Sequence, residues 1–267
     1  MKKIMGLFLL IFSISILGCN IFNPTDNSPQ VYPTIITPLS EQELEILQRE
    51  FRATNNFLMC SRLDRYGLVD REGFCAIENP NIPIEEREVI ELSKLTLYKN
   101  RKFTNVKDTT GLAIGRIFMM TPNRDNTHWR IDYLQQQYNG HKILDTEIVL
   151  WAHGNGVYRI NGHWYTDIFI PENVEVQEAE AQESLIGTEI IWYDAAGREQ
   201  VFTVTEETLI DETPQKVIVP LQVEDNIELR ITWEIGVRFS FQNYPSWYLY
   251  VDVISGELIR IVQLFVT

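Results

Sequence analysis

The chain has 267 residues, of which 45% are hydrophobic and 11% aromatic, with three cysteines. That composition can bury a core and excludes a disordered tail, a disulfide-dense miniprotein and a collagen-like repeat. With 23 Lys and Arg against 37 Asp and Glu, the formal charge of −14 argues against nucleic-acid binding and against adsorption on anionic lipid through the folded surface.

Lys2 and Lys3 precede an apolar run from Ile4 to Leu17. The run is too short for the roughly 20 residues of a membrane-spanning helix but suits the core of a signal peptide, so export is expected. It ends at Ile16-Leu17-Gly18-Cys19, which resembles the lipobox of bacterial lipoproteins. The resemblance implies removal of residues 1–18 and lipid attachment at Cys19, leaving an extracytoplasmic chain anchored in the cell membrane or outer membrane. An ordinary secretory signal is the alternative. Asn20 in place of Asp implies, by that family's sorting rule, no retention at the inner membrane of a two-membrane cell. Residues 19–39 carry Pro24, Pro29, Pro33 and Pro38 among Asn, Ser and Thr. They read as a semi-extended tether of about 3 Å per residue.

Two cysteines remain, Cys60 and Cys75. In an oxidising compartment their pairing would close a loop of about 15 residues, worth roughly 3 kcal/mol in the chain-entropy model. Two buried free thiols are the alternative. Neither has a second Cys or a His nearby in sequence, so no zinc site is expected.

A first module is expected over 40–168. Ser40-Glu41-Gln42-Glu43 is a capping box, flanked by Leu39 and Leu44 as a hydrophobic staple, and starts a helix at Glu41 whose buried stripe is Leu44, Leu47 and Phe51. A second helix is read over 85–99, with Ile90, Ser93 and Leu97 on one face; a strand over 94–98 competes with it. Four strands follow over 112–121, 127–138, 141–153 and 157–166, separated by hairpin signals at 122–126, Asn139-Gly140 and Gly154-Asn155-Gly156. Trp129, Ile131, Tyr133, Leu144, Ile148, Leu150, Ala152, Tyr158, Ile160 and Trp164 fall on the core side if the first short turn has two residues and the next has three.

A second module, over 172–267, holds most of the net negative charge: from Glu172 to Asp225 there are fourteen acidic residues against Arg198 and Lys216. A short helix around Val176 to Leu185 stops at Gly187. Strands follow over 189–194, 199–205, 216–223, 227–241, 247–253 and 258–265. The unbroken alternation of Leu229, Ile231, Trp233, Ile235, Val237, Phe239 and Phe241 is the strongest strand signal in the chain. The expected class is α+β, with each module an antiparallel sheet packed on one or two helices.

Gln136-Gln137-Tyr138-Asn139-Gly140, Ile143, Glu147-Ile148-Val149 and the stretch from Val157 to Gly162 resemble the FTP module found in propeptides of thermolysin-like and fungalysin metalloproteases. Upstream, Leu97, Asn100, Phe103 and Val106 are similar to that module's helix-end segment. The second module resembles a PepSY domain in its small helix near Ala179, the strand around Trp233-Glu234-Ile235, and Trp247-Tyr248-Leu249-Tyr250-Val251-Asp252 leading to Gly256-Glu257. The order of the two is that of the propeptide. The His and Arg that often open the FTP strand would fall at Ile131 and Tyr133, so His128 and Arg130 are not carried over.

The four histidines, His128, His141, His153 and His163, are followed by Trp, Lys, Gly and Trp, so no His-Glu-x-x-His zinc motif exists. The registers above set Asp132, Glu147 and His163 side by side on the outer face of three strands. The sharp reading is a metal or acid–base site. The bland and preferred one is a solvated face on which Arg130 and His163 offset the acids. Of the six tryptophans, Trp151 and Trp192 are the two not assigned to core packing. The chain is therefore expected to be a binding protein and not an enzyme, without cofactor or metal. The resemblance implies a propeptide-like inhibitor or chaperone of a secreted metalloprotease, acting in trans; an envelope structural or ligand-binding lipoprotein with no protease connection is the alternative.

Overall fold

The computed structural model describes residues 31–55, 60–70, 84–110, 112–120, 128–194, 196–210, 213–238 and 246–264. Cys19, Cys75, Phe239 and Phe241 lie outside them; Cys60 is disulfide-bonded. In chain order the elements are β1 (Thr34–Ile36), α1 (Glu41–Thr54), β2 (Arg62–Leu63), β3 (Val69–Asp70), α2 (Glu86–Lys99), α3 (Arg101–Thr104), β4 (Ile114–Met119), β5 (Trp129–Tyr133), β6 (Gln137–Tyr138), β7 (His141–Ile143), β8 (Val149–His153) and β9 (Gly156–Asn161). There follow α4 (Glu178–Leu185), β10 (Glu189–Tyr193), β11 (Glu199–Thr203), β12 (Gln215–Val223), β13 (Asn226–Arg238), β14 (Ser246–Asp252) and β15 (Leu258–Leu264). The class is α+β. No helix among the described residues is long and apolar enough to cross a membrane.

Helix α1 begins where its capping box sets it: the Ser40 N–H donates to the Glu43 carboxylate at 3.0 Å, and the Glu43 N–H donates to the Ser40 hydroxyl at 3.3 Å. These bonds satisfy two of the donors a helix N-terminus leaves open. Leu47 and Phe51 of α1, with Val89 and Leu97 of α2, cover the inner face of a four-stranded antiparallel sheet ordered β4-β5-β8-β9. That face presents Trp129, Ile131, Leu150, Ala152 and Ile160.

A seven-stranded sheet, β15-β14-β13-β12-β7-β6 with β1 also on β13, carries the second core. Ile231, Trp233, Ile235 and Val237 of β13 and Trp247, Leu249 and Val251 of β14 face one side. Ala181 and Leu185 of α4 and Ile190 and Phe202 of the β10–β11 hairpin close over them. The alternation read in the sequence is the period-2 geometry of a strand with one buried face.

The two parts share this sheet. Val217 and Ile218 of β12 pair in parallel with Lys142 and Ile143 of β7, and the Leu144 N–H donates to the Ile218 carbonyl at 2.9 Å. The described end of the stretch read as a tether is also built in. Thr34, Ile35 and Ile36 pair with Leu229, Glu228 and Ile227, and the Tyr32 hydroxyl donates to the buried Asp252 carboxylate at 2.8 Å. A Pro-rich composition hides a three-residue edge strand, because proline is tolerated just where such a strand begins. Val31–Thr267 forms one compact unit.

The Asn139-Gly140 turn has the register expected of it, Tyr138 opposite His141 and Gln137 opposite Lys142, with φ of 49° and 81° at the two turn residues. The hairpin does not run on into β5 and β8, however. It peels away to join β12, and β5 meets β8 two residues out of the expected register, with Asp132 opposite Val149 and Ile131 opposite Leu150. An even slip keeps the core face inward. Leu144 moves to the other sheet's core. Between β8 and β9 the register is Leu150 to Ile160 and Trp151 to Arg159, as expected, but the turn is tighter, with His153 opposite Gly156. Tyr158 is the extra residue of a bulge, and its ring stacks on His153 with centroids 5.0 Å apart.

Candidate functional site

Where the β6–β7 hairpin leaves the four-stranded sheet, it opens a cleft of about 580 Å3 against that sheet's outer face. Arg116 of β4, Arg130 and Asp132 of β5 and Val149 of β8 supply one wall; Gln137 and Lys142 of the hairpin, with Gln135 and Glu147 beside them, supply the other. The hairpin is held in place by buried Gln136. Its amide donates to the Tyr165 carbonyl at 2.6 Å and accepts from the Tyr165 N–H at 2.7 Å, while its own N–H donates to the Thr146 hydroxyl at 3.0 Å. Unpaired buried amides are costly, so these three bonds fix where the cleft wall stands.

Two of the three residues placed in one row by the sequence line this cleft, in different hands. The Asp132 carboxylate accepts from Arg130 Nε at 2.6 Å, and Glu147 accepts from the Gln135 amide at 2.9 Å. The register slip puts Val149, not Glu147, opposite Asp132. His163 is elsewhere. Strand β9 ends at Asn161, Gly162 turns the chain at φ 95°, and His163 is carried under β3, where Nδ1 lies 3.2 Å from the Val69 carbonyl. The three-residue row of Asp132, Glu147 and His163 therefore does not form. Among the described residues no group of three His, Cys, Asp or Glu could hold a metal ion.

Of the cleft's cations the sequence singled out Arg130 but not Arg116 or Lys142. Arg116 stands opposite Asp132, and Lys142 projects from the hairpin; both are exposed and neither has a carboxylate partner among the described residues. Their meeting depends on the slip and on the hairpin's excursion, which no local motif encodes. Next to the cleft a row of side chains crosses all four strands: Phe118, Arg130, Trp151 and Arg159. The guanidinium carbons of Arg159 and Arg130 lie 4.6 and 5.7 Å from the Trp151 ring, and Arg130 lies 5.4 Å from Phe118. Half-buried Trp151 is thus a packing partner of two arginines, and Trp192 lies on the second core beside Trp247. In a chain of charge −14, this outer face is locally cationic, a surface suited to carboxylate-bearing ligands through charge-assisted hydrogen bonds.

Buried His163 is a separate polar centre. Its Nε2 has no hydrogen-bond partner among the described residues, and the Tyr165 ring meets it edge-on at 5.0 Å. Burial lowers its pKa from the usual 6.5, outweighing the Val69 carbonyl and the carboxylates of Asp64 and Asp70, which favour the charged form. The unfolded chain then takes up a proton that the folded chain refuses. His163 stabilises fully above about pH 6.5 and less as the pH falls. Asp64, whose pKa burial raises, works in the opposite sense, and His128 and His153 are lowered by burial like His163. Comparing melting temperatures of the wild type and His163→Gln between about pH 8 and pH 5 isolates the first effect. The variant should lose stability less steeply on acidification; parallel curves would refute the assignment.

No protein-family model matches the chain, and no curated protein matches its sequence. Among solved structures it is similar to the Bacillus megaterium YpeB C-terminal domain, with 11% identity and a TM-score of 0.31, over 86% of this chain and 99% of that one.

Proposed function

We propose that the chain is a lipid-anchored, extracytoplasmic binding protein that acts in trans on a secreted metalloprotease, as a propeptide-like inhibitor or chaperone. The observation that carries this reading is the cleft between the β6–β7 hairpin and the four-stranded sheet, in which Arg116 and Lys142 have no carboxylate partner among the described residues and stand beside the Arg130–Asp132 pair. Guanidinium, ammonium, carboxamide and carboxylate groups spaced along one trough are the lining that holds an extended polypeptide by its backbone and its acidic side chains. The resemblance of both parts of the sequence to propeptide modules gives that polypeptide a source, and the lipid at Cys19 would keep the partner at the cell surface.

The test is inhibition of the organism's secreted zinc proteases by the exported chain, read as cleavage of a fluorogenic peptide. Arg116→Glu together with Lys142→Glu should weaken inhibition at least about tenfold, the loss expected when interfacial charges are reversed. Absence of binding at micromolar concentration would remove the reading.

A further inference from the structure

Two exposed apolar patches, far apart in sequence, carry opposite charge. The first is the outer strand of the four-stranded sheet. No strand pairs β4 on its free edge among the described residues, and Phe118, Met119 and Met120 are 40%, 45% and 49% exposed beside uncommitted Arg116. The second is the outward face of the β10–β11 hairpin. Ile191 stands opposite Val201 and Tyr193 opposite Glu199; Ile191, Tyr193 and Val201 are 59%, 65% and 55% exposed, with Glu189 and Glu199 at the corners. The hairpin's inner face is fully used, since Ile190 and Phe202 pack on the second core. Nothing in that packing calls for large apolar groups on the other side.

We propose that the hairpin face of one copy docks on the β4 edge of a second copy. Apolar surface meets apolar surface, and Glu189 and Glu199 come to a sheet edge on which Arg116 has no carboxylate partner among the described residues. Exposed apolar clusters with a charged rim mark interaction sites, and complementary charge selects the pairing. Hairpin against hairpin would oppose acid to acid, and edge against edge would oppose base to base. The favoured contact is therefore heterologous, joining copies head to tail into a ring or a growing chain. Because Arg116 also lines the cleft, a docked copy and a partner held in the cleft compete. The inference does not depend on what that partner is.

Sedimentation velocity on the exported chain with Cys19→Ser, so that no lipid drives association, tests it. The wild type should sediment as a concentration-dependent oligomer at about 100 µM. An edge variant, Arg116→Glu with Phe118→Glu, and a hairpin variant, Ile191→Lys with Glu199→Lys, should each be monomeric, because both sets of changes lie on exposed positions. Mixing the two leaves one intact face on each copy, and a one-to-one dimer should form. A monomeric wild type, or a hairpin variant that still self-associates, overturns the proposal. In the protease assay Lys142→Glu alone, without Arg116→Glu, leaves both docking faces intact and keeps the two tests apart.

Discussion

Replacing Trp247 with alanine should cost about 3–5 kcal/mol, the range for removing a large aromatic side chain from a packed core. The residue is 1% exposed, in the core that the β10–β11 hairpin helps to close. Its ring stacks on Phe202 at 5.1 Å with planes 14° apart and meets Trp192 at 6.3 Å. Losing it empties the space between β14 and the β10–β11 hairpin and frees the hairpin's inner face. At the entropy of unfolding of a chain this size, the melting temperature should fall by roughly 6–20 °C. Calorimetry of wild type and variant measures it, and a drop of less than about 1 kcal/mol would mean that the hairpin is not part of this core.

Gly162→Ala should be nearly as damaging for a different reason. Gly162 sits at φ 95°, and an added Cβ would lie 2.1 Å from the Glu147 carbonyl oxygen. The backbone conformation alone costs on the order of 1–3 kcal/mol for a residue with a side chain, and the clash adds a comparable amount. Gly197 provides the control. It also has positive φ, 74°, but a Cβ there would meet nothing within 4 Å. Chemical denaturation of Gly162→Ala and Gly197→Ala separates the two causes: the first should lose about twice the stability of the second. Equal losses would show that the close approach to Glu147 relaxes without cost.

The longer strands and helices were legible because each announces itself locally, whereas the short β1, β2, β3 and α3 carry too few residues to show a period. The capping box at Ser40 and Glu43 sets the start of α1, and the alternation from Leu229 to Val237 gives β13 its face. Pairing was legible only where a turn dictates it. Asn139-Gly140 fixed Tyr138 against His141, yet four residues further the register had moved, because Ile143 and Leu144 bond to Ile218 and the neighbouring strand more than seventy residues away. A hairpin rule cannot see a competing edge elsewhere in the chain. The candidate row of Asp132, Glu147 and His163 failed for the same cause, compounded by Gly162, whose positive φ ends β9 before His163. The tyrosine and amide anchors are likewise long-range: Tyr32 with Asp252, and Gln136 with Tyr165. Gln136 lies inside the motif that suggested the propeptide resemblance, and its buried bonds give that motif a structural reason in this chain.

The pairing of β1 with β13 decides how a pull on the chain's leading end is carried. β12 occupies one side of β13 over Asn226–Glu234, and β14 takes the other side from Thr232 onward, so Thr34–Ile36 fills the remaining length of that second side. Force applied along the axis of β1 would strain its hydrogen bonds together in shear, with the Tyr32–Asp252 bond beside them as a latch. A ladder loaded this way gives way all at once, whereas one opened from its end yields bond by bond. Were the chain moored at that end, as proposed, the strand would work as a mechanical fuse between mooring and body.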